Sequence, residues 1–301
     1  MQLGLVGVGR WGGNIVRTIS ESRRAELAGV ASRNPRTADI VPRGCRVFAD
    51  WQELITDTDL DGVIVATPPA LHPKIVLYAI EAGLPVLVEK PLALSIKDAR
   101  EVRTRVGSFG GGVMVDHTYL YHPAWIELKR RLPNLGPIEA IRSSGGNRGP
   151  FRTETTVLWD WGPHDISMCI DLIGGVPEIV SARRLRTEKT PEGRGDLLRL
   201  DLGFATAQAK VEIGNLMSTR TRRFEVEFAG TTAIIDDTAE HKLQCGGRNI
   251  PIDGTPPLTV LIEAFVDAVA ADSFNARDLD LAVMVVDTLE RCDSALARVA
   301  C

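Results

Sequence analysis

The chain is 301 residues long, with 44% apolar and 25% charged residues and a formal net charge of −4. That length can bury a sizeable core in one large or two ordinary domains, and the composition fits neither a disordered chain nor a polyanion binder. Nucleic acid is therefore not the expected partner.

The five cysteines, at 45, 169, 245, 292 and 301, are scattered, without the paired spacing of a zinc site or a disulfide framework. No metal is expected, and a reducing cytoplasm fits this usage. The opening MQLGLVGVG lacks a basic leader region, and no run reaches the roughly 20 apolar residues of a membrane span, so neither export nor membrane insertion is expected.

From residue 2 to about 117, short apolar runs alternate with segments of helical period. The runs are Leu3–Val6, Leu27–Ala31, Val63–Ala66, Val86–Val88 and Val113–Val115, with Arg46–Phe48 a weaker one. Helices are predicted at 11–20, 51–56, 71–82 and 95–106. Apolar runs without alternation belong to strands covered on both faces, which predicts a parallel α/β sheet.

The first run leads into Gly7-x-Gly9-x-x-Gly12 and then an amphipathic helix. Gly7 permits a tight turn, Gly9 leaves room for a pyrophosphate, and Gly12 lets the helix approach the strand; the free amides at the helix start favour phosphate. Arg10 and Trp11, inside the triplet, are grouped with this dinucleotide site. About 20 residues further on, where an acid would bind the adenosine ribose, stand Ser32 and Arg33. An arginine there can pair with a 2′-phosphate, which favours NADP over NAD, or it is a solvated loop charge.

In LPVLVEKPLALS (84–95) a buried strand ends in Glu89, Lys90 and Pro91. The tripeptide is either the solvated start of a turn or the carrier of a functional lysine. A lysine at the mouth of a cofactor crevice suits an electrophile that steadies negative charge on a reacting oxygen. After about residue 175 the period becomes two: Leu198, Leu200, Leu202 and Phe204 share one face, and Phe224, Val226 and Phe228 share another opposite Arg223, Glu225 and Glu227. This predicts a second domain with an antiparallel sheet, one face covered and the other polar or paired with another subunit. EKTPEGRGD (188–196) reads as a hairpin loop, and helices are predicted at 258–271 and 279–298.

With the glycine triplet, ATPPALH (66–72) and EKP (89–91) in order after successive strands, the chain resembles the Gfo/Idh/MocA oxidoreductase family. VLWDWGPHDISMCIDLIGG (157–175) looks like that family's Asp-x-x-x-His element. The resemblance implies an α/β fold: an N-terminal Rossmann domain with a doubly wound parallel sheet (1–118), then an α/β domain with an open, predominantly antiparallel sheet (119–301) that often forms subunit interfaces. Residues 258–298 are allowed for as packing back on the first domain, and a homodimer or homotetramer through the second sheet is expected. The implied activity is NAD(P)-dependent hydride transfer at a secondary carbinol of a sugar, nucleotide sugar or polyol.

By the same resemblance Lys90 is the active-site lysine and His164 the proton carrier, oriented by Asp160. An imidazole ordinarily titrates at about 6.5, close to working pH. Pro163 is read as the first position of a helix, which places Asp160 just outside it. Thr67, Pro68, His72, Glu89 and Lys90 join the cofactor residues; His72 either lines the nicotinamide pocket or caps the following helix. Tyr119, Tyr121 and His122 lie in the segment joining the domains and are substrate candidates. Arg148 and Arg152 either bind a phosphate or carboxylate or are solvated, and Trp161 or Trp159 could stack on a sugar while the other joins the core. Where many members carry an acid three residues after the histidine, this chain has Ser167, with Asp165 adjacent to the histidine. Alternatives on the same scaffold are an NAD-dependent glycosidase, a non-catalytic dinucleotide sensor, and reduction of an imine or tetrapyrrole.

Overall fold

A computed structural model describes residues 1–56, 59–151 and 155–298. The chain divides into two compact units, Met1–Thr118 with Pro256–Val283, and Tyr119–Thr255 with Met284–Cys301.

In the first unit, β1 (Gln2–Val6), β2 (Glu26–Ala31), β3 (Arg46–Phe48), β4 (Gly62–Val65), β5 (Val86–Glu89) and β6 (Val113–Asp116) form one all-parallel sheet, ordered β3-β2-β1-β4-β5-β6. The connecting helices are α1 (Arg10–Glu21), α2 (Trp51–Ile55), α3 (His72–Glu81) and α4 (Ile96–Phe109). Strands β4, β5 and β6 are buried along almost their whole length, as unbroken Val/Ile/Leu runs require. The strand order reverses between β1 and β4, and ligands of open α/β sheets bind outside the carboxyl ends of the strands at such a switch point.

The second unit starts with α5 (Pro123–Arg131), β7 (Ile138–Arg148) and α6 (Val157–Ile173). Then follow β8 (Ile179–Thr190), β9 (Gly193–Gly203), β10 (Gln208–Gly214), β11 (Leu216–Phe228), β12 (Thr231–Asp236), β13 (Leu243–Cys245) and β14 (Arg248–Asn249). They form an eight-stranded sheet, β14-β13-β12-β11-β7-β10-β9-β8, antiparallel except for β7 beside β10. One face holds Ile141, Leu200, Val211 and Val226, all 0–1% exposed, beneath α6. The other is a ladder of ion pairs, with Arg142 to Glu225 and Glu227, and Arg199 to Asp201 and Glu212. The segment expected as a loop at 188–196 is mostly strand: β8 runs to Thr190, β9 starts at Gly193, and only Pro191 and Glu192 make the turn.

Two helices end the chain, α7 (Pro257–Ala270) and α8 (Ala276–Arg298). The first packs on α1 in the first unit, where Phe265, 0% exposed, lies over Gly62: a Cβ on that glycine would stand 3.1 Å from the ring. Phe274 similarly fills the space a side chain at Gly112 would need, and Arg24 joins Glu263 and Asp267 across the same seam. Helix α8 contributes its residues up to Val283 to the first unit and the rest to the second. Among the described residues, no helix is long and apolar enough to cross a membrane.

Candidate active site

In the first unit the turn after β1 is built around its glycines. Gly7 has φ +97°, and a Cβ there would meet the Ala66 carbonyl oxygen at 2.6 Å. At Gly12 a Cβ would meet the Gly7 carbonyl oxygen at 2.2 Å, so α1 can start this close to the turn only without a side chain. Gly9 differs, since nothing lies within 4 Å of where its Cβ would be. It is the N-cap of α1 and supplies no side-chain acceptor, which leaves the first-turn amides of a 12-residue helix for a ligand. This open approach beside two crowded glycines fits the pyrophosphate of a dinucleotide.

Arg10 and Trp11 are exposed, and Trp11 donates Nε1–H to Asp116 Oδ2 at 3.3 Å. Ser32 and Arg33 directly follow β2. The Ser32 hydroxyl accepts from Asn34 N at 3.2 Å and from Thr37 Oγ1 at 2.8 Å, which fixes the turn while Arg33 stays exposed.

Glu89, the last residue of β5, stands in register with Asp116, the last of β6. Asp116 is 2% exposed and also accepts from the Thr118 hydroxyl. Burial, and then the neighbouring Asp116, push the Glu89 carboxyl well above the usual carboxylate range even with Lys90 beside it. Glu89 is hydrogen-bonded to Asp116, while its Oε1 is buried without a hydrogen-bond partner.

His72 is engaged by two backbone carbonyls rather than capping the following helix. It is 0% exposed, and its Nδ1 lies 2.8 Å from the Pro91 carbonyl and its Nε2 2.8 Å from the Thr67 carbonyl. The side chain caps no helix, because it sits inside α3, whose N-cap is Leu71. Instead it ties the turn after β4 to the turn after β5, one residue past Lys90. Burial pushes its pKa down, against the two carbonyls, and a neutral ring donates to only one of them. Beside it, Thr67 Oγ1 is buried without a hydrogen-bond partner and Pro68 is exposed.

In the second unit the acid–histidine element is helical throughout. Helix α6 begins at Val157, with Asp160 in its first turn and Pro163 inside it, so Pro163 is not the first position and Asp160 is not outside. Asp160 and His164 are four residues apart on one helix and share a face. A proline at that position forfeits one backbone hydrogen bond early in the helix, a loss the buried packing of α6 tolerates. Trp161 lines a cavity of about 330 Å³ together with Asp160, Arg184, Arg194 and Asn215, whereas Trp159, 8% exposed, belongs to the core. Ser167 turns back, donating to the His164 carbonyl at 2.8 Å.

Asp165 is 1% exposed and pairs with Arg222 of β11, Nη1 to Oδ2 at 2.7 Å, and it also accepts from Ser143 Oγ. Arg222 was not anticipated, though strand alternation marks it: it shares the phase of Phe224 and Val226, and a charge on the covered face must find a partner. Its guanidinium lies 3.7 Å from the centre of the Tyr119 ring, which in turn stands edge-on to His164 at 5.1 Å.

His122 is 3% exposed and already engaged, accepting from Ala124 N at 3.0 Å and facing Asp237 Oδ1 at 3.2 Å. Although burial opposes it, the bonds from His122 and Lys242 hold the Asp237 carboxyl below its usual range. Tyr121 is half-buried. Arg148 is exposed, pairs with Glu188 at 3.2 Å and lies over Phe151; Arg152 falls outside the described residues. Among the described residues, no group of three or more His, Cys, Asp or Glu is arranged to hold a metal ion.

The GFO_IDH_MocA profile, an oxidoreductase family with an NAD-binding Rossmann fold, matches residues 1–117. The crystal structure of a candidate oxidoreductase from Magnetospirillum magnetotacticum MS-1 is 37% identical, covers 97% of this chain and 99% of its own, and superposes with a TM-score of 0.92.

The chain belongs to the Gfo/Idh/MocA family of NAD(P)-dependent oxidoreductases.

Within that family, it is 30% identical over 205 residues to inositol 2-dehydrogenase 2 of Saccharopolyspora erythraea, a match that covers 65% of this chain and 58% of that one. The chain thus spans less than two thirds of that curated relative. UDP-N-acetylglucosamine 3-dehydrogenase of Acidithiobacillus ferrooxidans shares the fold, with a TM-score of 0.84 at 21% identity over 98% of this chain and 97% of that one.

Proposed function

We propose that this protein is a dehydrogenase that moves a hydride between NADP, or NAD, and a secondary carbinol of a sugar, nucleotide sugar or polyol. The observation that carries the reading is the pair Asp160 and His164 on one face of α6, in a chain of a family that contains an inositol dehydrogenase. Gly7, Gly9 and Gly12 would hold the pyrophosphate with the first amides of α1, Ser32 and Arg33 the adenosine end, and Thr67 and Glu89 the nicotinamide end. When bound, the nicotinamide supplies a hydride acceptor or donor at C4.

In the oxidising direction His164 takes the hydroxyl proton as the carbon–hydrogen bond breaks and the carbonyl forms, and Asp160 keeps the imidazole oriented and steadies its charged form. Lys90 donates a hydrogen bond to the reacting oxygen and stabilises the negative charge that develops there. Arg33 favours a 2′-phosphate, since nothing at Ser32 would repel it. The working protein is proposed to be a cytoplasmic homodimer or homotetramer built through its second sheet.

The test is an absorbance screen at 340 nm with NAD and NADP, each against sugars, nucleotide sugars and inositols. Lys90→Met and His164→Asn should each lower kcat by about 10²–10⁴-fold while leaving the cofactor Kd nearly unchanged. Full turnover by either variant would defeat the assignment.

A further inference from the structure

We infer that Arg222 and Tyr119 form a positioning relay for His164, an inference that rests on His164 being the proton carrier. The relay starts in the sheet. Arg222, 7% exposed, is held by Asp165 at 2.7 Å, and its Nη2 lies 3.8 Å from Met168 Sδ one turn further along α6. Ser143 of β7 bonds the other carboxylate oxygen of Asp165. The recess is tailored to this pair, because a Cβ at Gly145 would stand 2.4 Å from Arg222 Nη1 and 3.2 Å from Asp165 Oδ2.

Two consequences reach the imidazole. Asp165 is the residue next to His164, and successive helical residues diverge by about 100°, so anchoring Asp165 in the sheet fixes the rotation of α6 that aims His164. From the other side, the guanidinium lies 3.7 Å from the Tyr119 ring centre, well inside the roughly 6 Å reach of a cation–π contact. That ring meets His164 edge-to-face, with centroids 5.1 Å apart and planes at 86°. Both contacts use the Tyr119 ring, so its work here is to hold an orientation rather than to touch substrate through its hydroxyl. Arg222 and Tyr119 are positioning residues, and proton transfer depends steeply on the placement they set.

The test compares Tyr119→Leu with Tyr119→Phe in the full chain, since both leave Asp165 and Arg222 themselves in place and only the first removes the ring between Arg222 and His164. Histidine rings are labelled with ¹³C, and the His164 signal is assigned by its loss in His164→Asn. Tyr119→Leu should lower kcat by about 10–100-fold with the cofactor Kd and Tm close to the parent values, and its His164 signal should shift or broaden. Tyr119→Phe, which keeps the ring, should restore most of that turnover and the parent signal. Arg222→Met should move the same signal in the same direction. The relay is overturned if Tyr119→Phe raises the substrate KM as much as Tyr119→Leu does, or if the His164 signal of Tyr119→Leu coincides with that of the parent. Should no substrate ever be turned over, the functional reading falls, and the ring signal still decides the relay.

Discussion

Glu89 ends a strand whose other residues are apolar, and its carboxyl is buried against a second acid. A carboxyl with a raised pKa keeps its proton in the folded state over a range in which the unfolded chain has released it. Folding then takes up a proton, and stability falls as pH rises from the ordinary value of 4.5 through the raised one. Glu89→Gln replaces the protonated acid by a neutral amide, so its thermal melts should lose this part of the decline with pH. Melting curves for both proteins from pH 5 to 9 check it, and identical slopes would mean that Glu89 holds no extra proton. At this scale the sequence offered candidate residues and said little about what they touch. Lys90, Asp160 and His164 follow from motif order, whereas the engagement of His72 with two carbonyls depends on two turns meeting in space, which no local pattern records. Arg222 is an intermediate case, because its phase in β11 was readable while its partner, Asp165, sits 57 residues away.

Among the elements, the strand and helix positions of the first unit were legible because unbroken apolar runs and helical period are strong local signals. The start of α6 was not, since a proline is more often found at a first helical position than inside a helix, and here buried packing overrode that preference. The hairpin of β8 and β9 was legible, but not how short its turn is: the polar residues Glu188, Lys189 and Arg194 look like a loop, yet they sit on paired strands at an open sheet edge. The start of α1 is the element where a single methyl group decides most. Gly12→Ala places a Cβ against the Gly7 carbonyl oxygen, so either the helix must withdraw or the turn must open. Cofactor affinity should fall by at least about tenfold, with Tm lowered as well, because such overpacking typically costs about 1–3 kcal/mol. Titration with NADP followed by intrinsic fluorescence measures the first and calorimetry the second; unchanged affinity would show that the close approach is not needed.

For the molecule as a whole, the family profile ends at residue 117 while the first unit does not. Its sheet is covered in part by a segment from far along the chain, with Phe265 over Gly62 and Phe274 against Gly112. Phe265→Ala should therefore weaken the nucleotide-binding unit, by about 3–5 kcal/mol if the site does not collapse, although no residue of the glycine turn is altered. Urea unfolding in the presence and absence of NADP reads this directly, and a change within about 0.5 kcal/mol would show that α7 is dispensable there.

The detour of the chain also sets an order of events during synthesis. The glycine turn and all six parallel strands leave the ribosome before the second sheet, but the piece that closes over Gly62 belongs to Pro256–Val283 and emerges only after that sheet. Until then the nascent first unit keeps apolar surface uncovered while the second sheet is being made, the kind of exposure that chaperones act on. Its completion has to wait for a long-range closure, which slows folding relative to a domain built from neighbouring segments.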